Sequence, residues 1–157
     1  MAGRTLVFVG DGNNVARSVA LCCGKLGVRF VLAAPHAYGF DEPFLQAFHK
    51  NVPAGELVQN GEPKDAVRTA DVIYTDVWTS MGQEEEREQR LRHFQGYQVN
   101  DALLALAPAH TRVMHCLPAH RGEEITSDVL DGPQSVAFQQ AGNRLHAQKA
   151  LLLWLLS

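Results

Sequence analysis

The sequence has few cysteines and no long apolar run, and both shortages restrict its class. Three cysteines occur, Cys22, Cys23 and Cys116, and no pair has C-x-x-C spacing. An odd count without that spacing argues against a disulfide framework and favours a reducing compartment. The longest apolar run, residues 150–156, has seven residues, whereas a membrane span needs about 20. The N-terminus also lacks the basic-then-apolar layout of a signal peptide. We therefore expect a cytoplasmic protein that binds no membrane.

The chain also lacks a strong charge of either sign. Its 14 Lys and Arg oppose 17 Asp and Glu, a net charge of −3. A nucleic-acid-binding protein should present a basic face, so nucleic acid is not an expected partner. With 157 residues, 46% of them apolar, and neither a repeat nor a Pro/Gly-rich linker, the composition is typical of one folded domain.

Short apolar runs alternate with amphipathic segments along the chain. The apolar runs predict strands at residues 5–9, 28–34, 71–75, 112–116 and 135–138, with a weaker one near Leu57. The segments between them predict helices at residues 13–26, from about 41, 63–69, 84–94 and 143–156. Continuous apolar strands alternating with helices predict an α/β fold, a doubly wound, Rossmann-like, mostly parallel sheet with helices on both faces. In such three-layer folds ligands bind at the carboxyl ends of the strands.

Two carboxamides follow the first predicted strand. Residues 10–15 lie between a strand and a helix, where dinucleotide-binding enzymes carry G-x-G-x-x-G. Here Val15 replaces the third glycine, and the second strand runs into Pro35 without an acidic residue. A nicotinamide oxidoreductase is therefore the least favoured alternative. Asn13 and Asn14 could bind a small polar ligand, or they could only cap the helix.

The loop at residues 76–82 follows another predicted strand. Asp76 offers a carboxylate suited to an ammonium group, Ser80 offers a hydroxyl, and Gly82 allows the loop to bend. Each residue taken alone also has a structural explanation. Asp76 could be a cap, Ser80 a turn residue, and Trp78 part of the core.

Residues 115–124 follow the predicted strand at 112–116. Cys116, His115 and His120 raise the possibilities of a zinc site and of a cysteine nucleophile. Structural zinc usually shows paired Cys and His ligands, and only one such His pair is present. Adjacent strand residues point to opposite faces, so His115 would not activate Cys116. Neither a metal site nor covalent cysteine chemistry is expected.

Arginines occur in two further segments. Arg144, at the predicted start of the closing helix, could recognise a phosphate or carboxylate, or it could be an ordinary solvated arginine. The charge run at residues 84–92 is expected to be a solvated helix face without chemistry. Its pairs Glu86/Arg90 and Glu88/Arg92 are one helical turn apart.

Taken in order, five stretches of this sequence resemble the second half of the ornithine carbamoyltransferases. They are GDGNN at 10–14, DVWTSMGQE at 76–84, FQGYQV at 94–99, HCLPAHRGEE at 115–124 and NRLHAQKA at 143–150. The similarity begins at about residue 3 and reaches the C-terminus. The Asp-x-Trp-x-Ser-Met-Gly pattern separates ornithine enzymes from the similar aspartate carbamoyltransferases, which lack it.

The resemblance implies transfer of the carbamoyl group of carbamoyl phosphate to the δ-amine of L-ornithine, giving citrulline and phosphate without metal or organic cofactor. Four residues would hold the amino-acid end of ornithine, with Asp76 pairing to the α-ammonium: Asn14, Asp76, Ser80 and Met81. Cys116 and Leu117 would lie beside the reacting carbamoyl group and δ-amine. Arg144 would reach carbamoyl phosphate, and Cys116, Asp76 and Arg144 are the predicted catalytic residues.

Two features depart from the family pattern. Gly142 stands where members usually have Glu, and the carbamoyl phosphate domain with its Ser-x-Arg-Thr motif has no counterpart here. We therefore expect residues 1–157 to be the ornithine-binding domain alone, inactive or very weak by itself and taken from a trimer-based homo-oligomer. The apolar end of the closing helix predicts self-association of the fragment. The alternative is a non-catalytic amino-acid-binding module of the same fold.

Overall fold

Five parallel strands form one sheet in the computed structural model, which describes residues 1–79 and 84–157. Their bounds are Thr5–Val9 (β1), Arg29–Ala33 (β2), Leu57–Asn60 (β3), Val72–Thr75 (β4) and Arg112–His115 (β5). The spatial order is β3-β2-β1-β4-β5. The weakly predicted strand near Leu57 is confirmed as the edge strand β3.

Seven α-helices connect these strands in the described part of the chain. They are Asn14–Lys25 (α1), Glu42–Asn51 (α2), Pro63–Ala66 (α3), Arg87–His93 (α4), Asp101–Leu104 (α5), Ser127–Leu130 (α6) and Ala137–Leu156 (α7). Short 3-10 turns lie at His36–Tyr38, Val67–Thr69 and Glu84–Glu86. The sequence pattern does not predict α5 and α6, because one helical turn is too short to show a hydrophobic period.

Alternate residues of the central strands build two separate cores. Leu6 and Phe8 of β1 face α1 and α2, whereas Val7 and Val9 face a second core that includes Leu103 of α5. Phe8, Val7 and Val9 are each fully buried. Complete burial of a phenylalanine contributes about 1.5–3 kcal/mol. The predicted three-layer, doubly wound α/β fold is confirmed, with both faces of the sheet covered.

The predicted last strand at residues 135–138 is wrong. Ser135 forms only an isolated parallel bridge with Val113, made by hydrogen bonds from Val113 N to Gln134 O and from Val136 N to Val113 O. The chain then enters α7 at Ala137. The segment does reach the free edge of β5, but Ala137-Phe138-Gln139-Gln140 continues as helix, where alanine and glutamine are favourable.

The long helix α7 begins six residues earlier than the predicted closing helix. Gly142, which directly precedes the helix predicted at residues 143–156, therefore lies inside α7. Every residue from Gly142 onward is exposed, including Leu151 and Trp154. Self-association through this apolar end stays a prediction. No helix in the described residues is long and apolar enough to cross a membrane.

Candidate functional site

Three loops meet where the order of the strands reverses. The chain adds β2 and β3 on one side of β1 and then β4 and β5 on the other. The crevice therefore opens between the carboxyl ends of β1 and β4, the place where ligands bind in open parallel sheets. Asn13 follows β1, Asp76 follows β4 and Cys116 follows β5.

Asp76 is the centre of this meeting point. Its Oδ2 accepts a hydrogen bond from Asn13 Nδ2 at 3.2 Å. Its Oδ1 accepts from the backbone N–H of Val77 at 2.8 Å and from the Cys116 thiol at 2.9 Å. Asp76 is 8% exposed. Within residues 1–79 and 84–157 no lysine, arginine or histidine pairs with this carboxylate, so a nearly buried negative charge faces the crevice without a cation.

The Cys116 thiol is held as a hydrogen-bond donor to Asp76. Burial, together with the hydrogen bond and charge of Asp76, raises the pKa of Cys116 to about 12. A thiolate is the nucleophilic form of cysteine, and this environment opposes it. Burial likewise raises the pKa of the neighbouring Tyr74 to about 12. The expectation against covalent cysteine chemistry therefore has a physical basis here.

Asn13 performs two tasks that its sequence position only partly reveals. Its Oδ1 accepts from Ala16 N at 3.0 Å and so caps α1. Its Nδ2 donates to Asp76, so the cap also joins the site. The family resemblance points instead to Asn14, whose side chain is exposed at the first residue of α1. In the sequence, the pair of adjacent carboxamides was the feature that could have indicated Asn13. An asparagine that caps a helix through its side-chain oxygen can still donate from its amide nitrogen to a second group.

Leu117 is held in an unusual conformation next to Cys116. Its φ of +56° lies in the left-handed region, the one such non-glycine residue in the described chain. Its N–H donates to Nδ1 of His115 at 2.8 Å, and His115 Nε2 lies 3.1 Å from Glu124 Oε1. His115 and Glu124 are both fully buried. This chain of contacts fixes the loop that presents Cys116 and Leu117, and the sequence pattern indicated this role for neither His115 nor Glu124.

Arg90 contradicts the prediction that the charge run at residues 84–92 is wholly solvated. Its side chain is 8% exposed, and its NH1 lies 2.6 Å from Asp11 Oδ2. It also donates to the carbonyl of Trp78 and lies over the Tyr38 ring, 5.0 Å from its centroid. The predicted helical pair with Glu86 is confirmed at 3.1 Å. Burial raises the pKa of Asp11, and Arg90 acts against that rise.

The remaining predicted site residues are not brought to Asp76 by the structure. Arg144 is exposed on α7, one turn beyond Gln140, whose amide donates to Tyr74 Oη. The Arg144 side chain makes no hydrogen bond or ion pair with another residue of the described chain. Ser80 and Met81 lie outside the described residues.

Comparison with known proteins decides the family. The family model described as "Aspartate/ornithine carbamoyltransferase, Asp/Orn binding domain" matches residues 2–155. The chain belongs to this carbamoyltransferase family. Ornithine carbamoyltransferase from Archaeoglobus fulgidus is 52% identical over 152 residues, which cover 97% of this chain and 49% of that protein. The enzyme of Methanopyrus kandleri is 51% identical over 154 residues, again covering 97% of the chain and 49% of the relative.

Solved carbamoyltransferase structures share the fold described above. The ornithine carbamoyltransferase of Pyrococcus furiosus superposes with a TM-score of 0.89 at 50% identity, covering 96% of this chain and 49% of that one. The anabolic enzyme of Campylobacter jejuni gives a TM-score of 0.91 at 29% identity, covering 99% and 52%. The chain thus spans about half the length of the carbamoyltransferases that it matches.

Proposed function

We propose that this chain is the ornithine-binding half of an ornithine carbamoyltransferase. The observation that carries the proposal is Asp76, a nearly buried carboxylate with hydrogen-bond donors on both oxygens and no cation among its described neighbours. Such a group favours a ligand that brings its own positive charge. The α-ammonium of L-ornithine supplies that charge.

The surrounding residues assign the rest of the amino acid. Asn14 donates from its exposed carboxamide to the α-carboxylate, and the family resemblance assigns Ser80 and Met81 to the same end of ornithine. Leu117 and Cys116 border the δ-amine.

The reaction then needs a second set of groups. The neutral δ-amine forms a bond to the carbamoyl carbon, the carbon–oxygen bond to phosphate breaks, and phosphate leaves with that electron pair while the amine nitrogen loses a proton. Cys116 stays protonated throughout, since the pKa of its thiol is about 12. Arg144, exposed on α7, is assigned to carbamoyl phosphate. Positioning two reactants supplies a large part of such a rate, so we expect residues 1–157 alone to be nearly inactive.

A mixing experiment tests this assignment. Citrulline formation is measured with the chain alone, with a separately produced carbamoyl phosphate half of a related enzyme alone, and with both. Activity that arises only in the mixture supports a competent ornithine half with a preformed site. Binding of L-ornithine to the chain is measured in parallel by calorimetry.

The two readouts separate the alternatives. Ornithine binding without activity in the mixture would favour the non-catalytic amino-acid-binding module. Absence of both would contradict the proposal. Asp128→Ala serves as the matched control for Asp76→Ala, since Asp128 is an exposed aspartate on α6.

A further inference from the structure

A second cluster of titratable side chains lies just beyond the loop of Cys116 and Leu117. It contains His120, Glu123 and Glu124, and one potential ligand atom from each lies within 4.8 Å of the other two. The chemistry proposed above uses none of these three toward a substrate. The cluster therefore needs an explanation of its own.

Glu124 is a buried carboxylate with only one satisfied oxygen. Its side chain is 0% exposed, and Oε1 accepts from His120 N at 2.6 Å and lies 3.1 Å from His115 Nε2. Its Oε2 is buried and has no hydrogen-bond partner among residues 1–79 and 84–157. Buried carboxylate oxygens are rarely left without a donor or a cation, because desolvation is then uncompensated. This oxygen points to a missing ligand.

Glu123 shows the same pattern beside it. Its Oε1 pairs with Arg87, while its buried Oε2 has no hydrogen-bond partner in the described chain. That second oxygen lies 3.6 Å from Nδ1 of His120. One potential ligand atom of Glu124 lies within 4.8 Å of those of Glu123 and His120, so three donors share one small volume.

The donor atoms limit what the missing ligand can be. Arg87 already pairs with Glu123. The two oxygens without partners belong to carboxylates, and an imidazole nitrogen of His120 lies beside one of them. A ligand for such atoms is a cation that accepts both oxygen and nitrogen donors.

We propose that His120, Glu123 and Glu124 bind a divalent first-row transition metal ion, through one imidazole nitrogen and one oxygen from each carboxylate. Imidazole favours Zn²⁺ or Co²⁺ over Mg²⁺ or Ca²⁺, which take oxygen ligands almost exclusively. Ligands of tetrahedral zinc lie roughly 3.3 Å apart, given bonds of about 2.0–2.1 Å. The His120 side chain is 46% exposed, so its rotation can close the present separation of up to 4.8 Å.

Such an ion has a structural role at a distance from the reacting atoms. It binds Glu124, which holds His115, which in turn holds the left-handed Leu117. The ion thereby fixes residues 115–124 as one unit. This proposal does not rest on ornithine as the substrate.

Titration with Co²⁺ under reducing conditions tests the site, because the absorption of bound cobalt reports its ligands. We expect one ion per chain, with a nitrogen- and oxygen-ligated spectrum and no thiolate charge-transfer band. His120→Ala and Glu124→Gln should each weaken binding at least about tenfold. The control His146→Ala, on the exposed helix α7, should leave it unchanged.

A melting experiment guards against loss of folding. The amide carbonyl introduced by Glu124→Gln can accept both hydrogen bonds now made to Oε1, so the metal-free variant should melt near the wild type. Zn²⁺ at 100 times the wild-type dissociation constant should raise the wild-type Tm by roughly 5–10 °C, and that of Glu124→Gln by no more than about half as much. Absence of binding, binding unaffected by His120→Ala, or a charge-transfer band lost in Cys116→Ser would each overturn the proposal.

Discussion

Two aspartates flank strand β4 and have opposite surroundings. Asp71, at the amino end, accepts from Thr5 N at 2.8 Å and pairs with Arg4 at 2.6 Å and His110 at 3.0 Å. Asp76, at the carboxyl end, accepts only from the uncharged donors of Asn13, Val77 and Cys116 within the described chain. The first carboxylate is neutralised by the protein itself. The second has only uncharged donors among the described residues, and the proposed function assigns it to a ligand.

A third carboxylate, Asp11, lies at the same edge of the sheet as Asp76 and pairs with Arg90. Substituting Arg90 should lower the stability of the protein more than any other change considered below. Arg90→Met removes the one arginine that contacts the largely buried Asp11 in the described chain, which should lower the free energy of unfolding by about 3 kcal/mol. Urea unfolding measures this. Arg92→Met is the matched control on α4, because Arg92 is 74% exposed and 4.0 Å from Glu88; it should change stability by less than about 0.5 kcal/mol. Equal effects of the two variants would contradict the role of Arg90.

Removing the Asp76 carboxylate should weaken the binding of L-ornithine. Asp76→Ala should weaken L-ornithine binding at least about 30-fold, because the α-ammonium loses its partner in a nearly buried site. Calorimetry measures the affinity and circular dichroism verifies the fold. Ornithine affinity equal to that of the Asp128→Ala control would exclude the proposed role of Asp76.

The matching change at the other end of β4 should affect stability alone. Asp71→Asn should lower the free energy of unfolding by about 1–2 kcal/mol and leave ornithine affinity unchanged. The Thr5 N–H and the Arg4 guanidinium lower the pKa of Asp71 to about 2. A carboxyl with a depressed folded pKa stabilises above its unfolded pKa, and the contribution disappears as the pH falls through the folded value.

Unfolding of the wild type and Asp71→Asn at several pH values sharpens this result. The stability difference should be full above about pH 5 and should shrink steadily as the pH falls from about 4 toward 2. A difference that does not depend on pH would show that the Asp71 carboxylate contributes through packing instead of charge.

The smallest effect is expected at Cys116. Cys116→Ser keeps a donor to Asp76 and should bind ornithine nearly as well as the wild type, whereas Cys116→Ala should bind about threefold more weakly. The raised pKa of the thiol also predicts slow alkylation at neutral pH relative to the exposed Cys22. Rapid modification of Cys116 would contradict its assignment as a protonated donor.

The sequence pattern predicts most of the sheet because buried strands are continuous apolar runs. It fails at residues 135–138, where one apolar stretch serves both a single bridge to Val113 and the first turn of α7. The same limit explains Arg90. A charge run reads as solvent-exposed, and nothing local indicates that one of its arginines reaches Asp11, 79 residues away.

The sequence alone determined the parallel α/β sheet, the family resemblance and the loops that carry the site, because periodicity and short motifs are local properties. Only the tertiary structure decided which side chains meet there. Asn13, Asp76 and Cys116 follow three different strands. Asn13 and Cys116 both contact Asp76 because β1, β4 and β5 are neighbours in the sheet. The contrast between Asp71 and Asp76 likewise depends on partners far away in the chain. Folding places Arg4 and His110 beside Asp71, whereas the distant partners of Asp76 in the described chain are the uncharged Asn13 and Cys116.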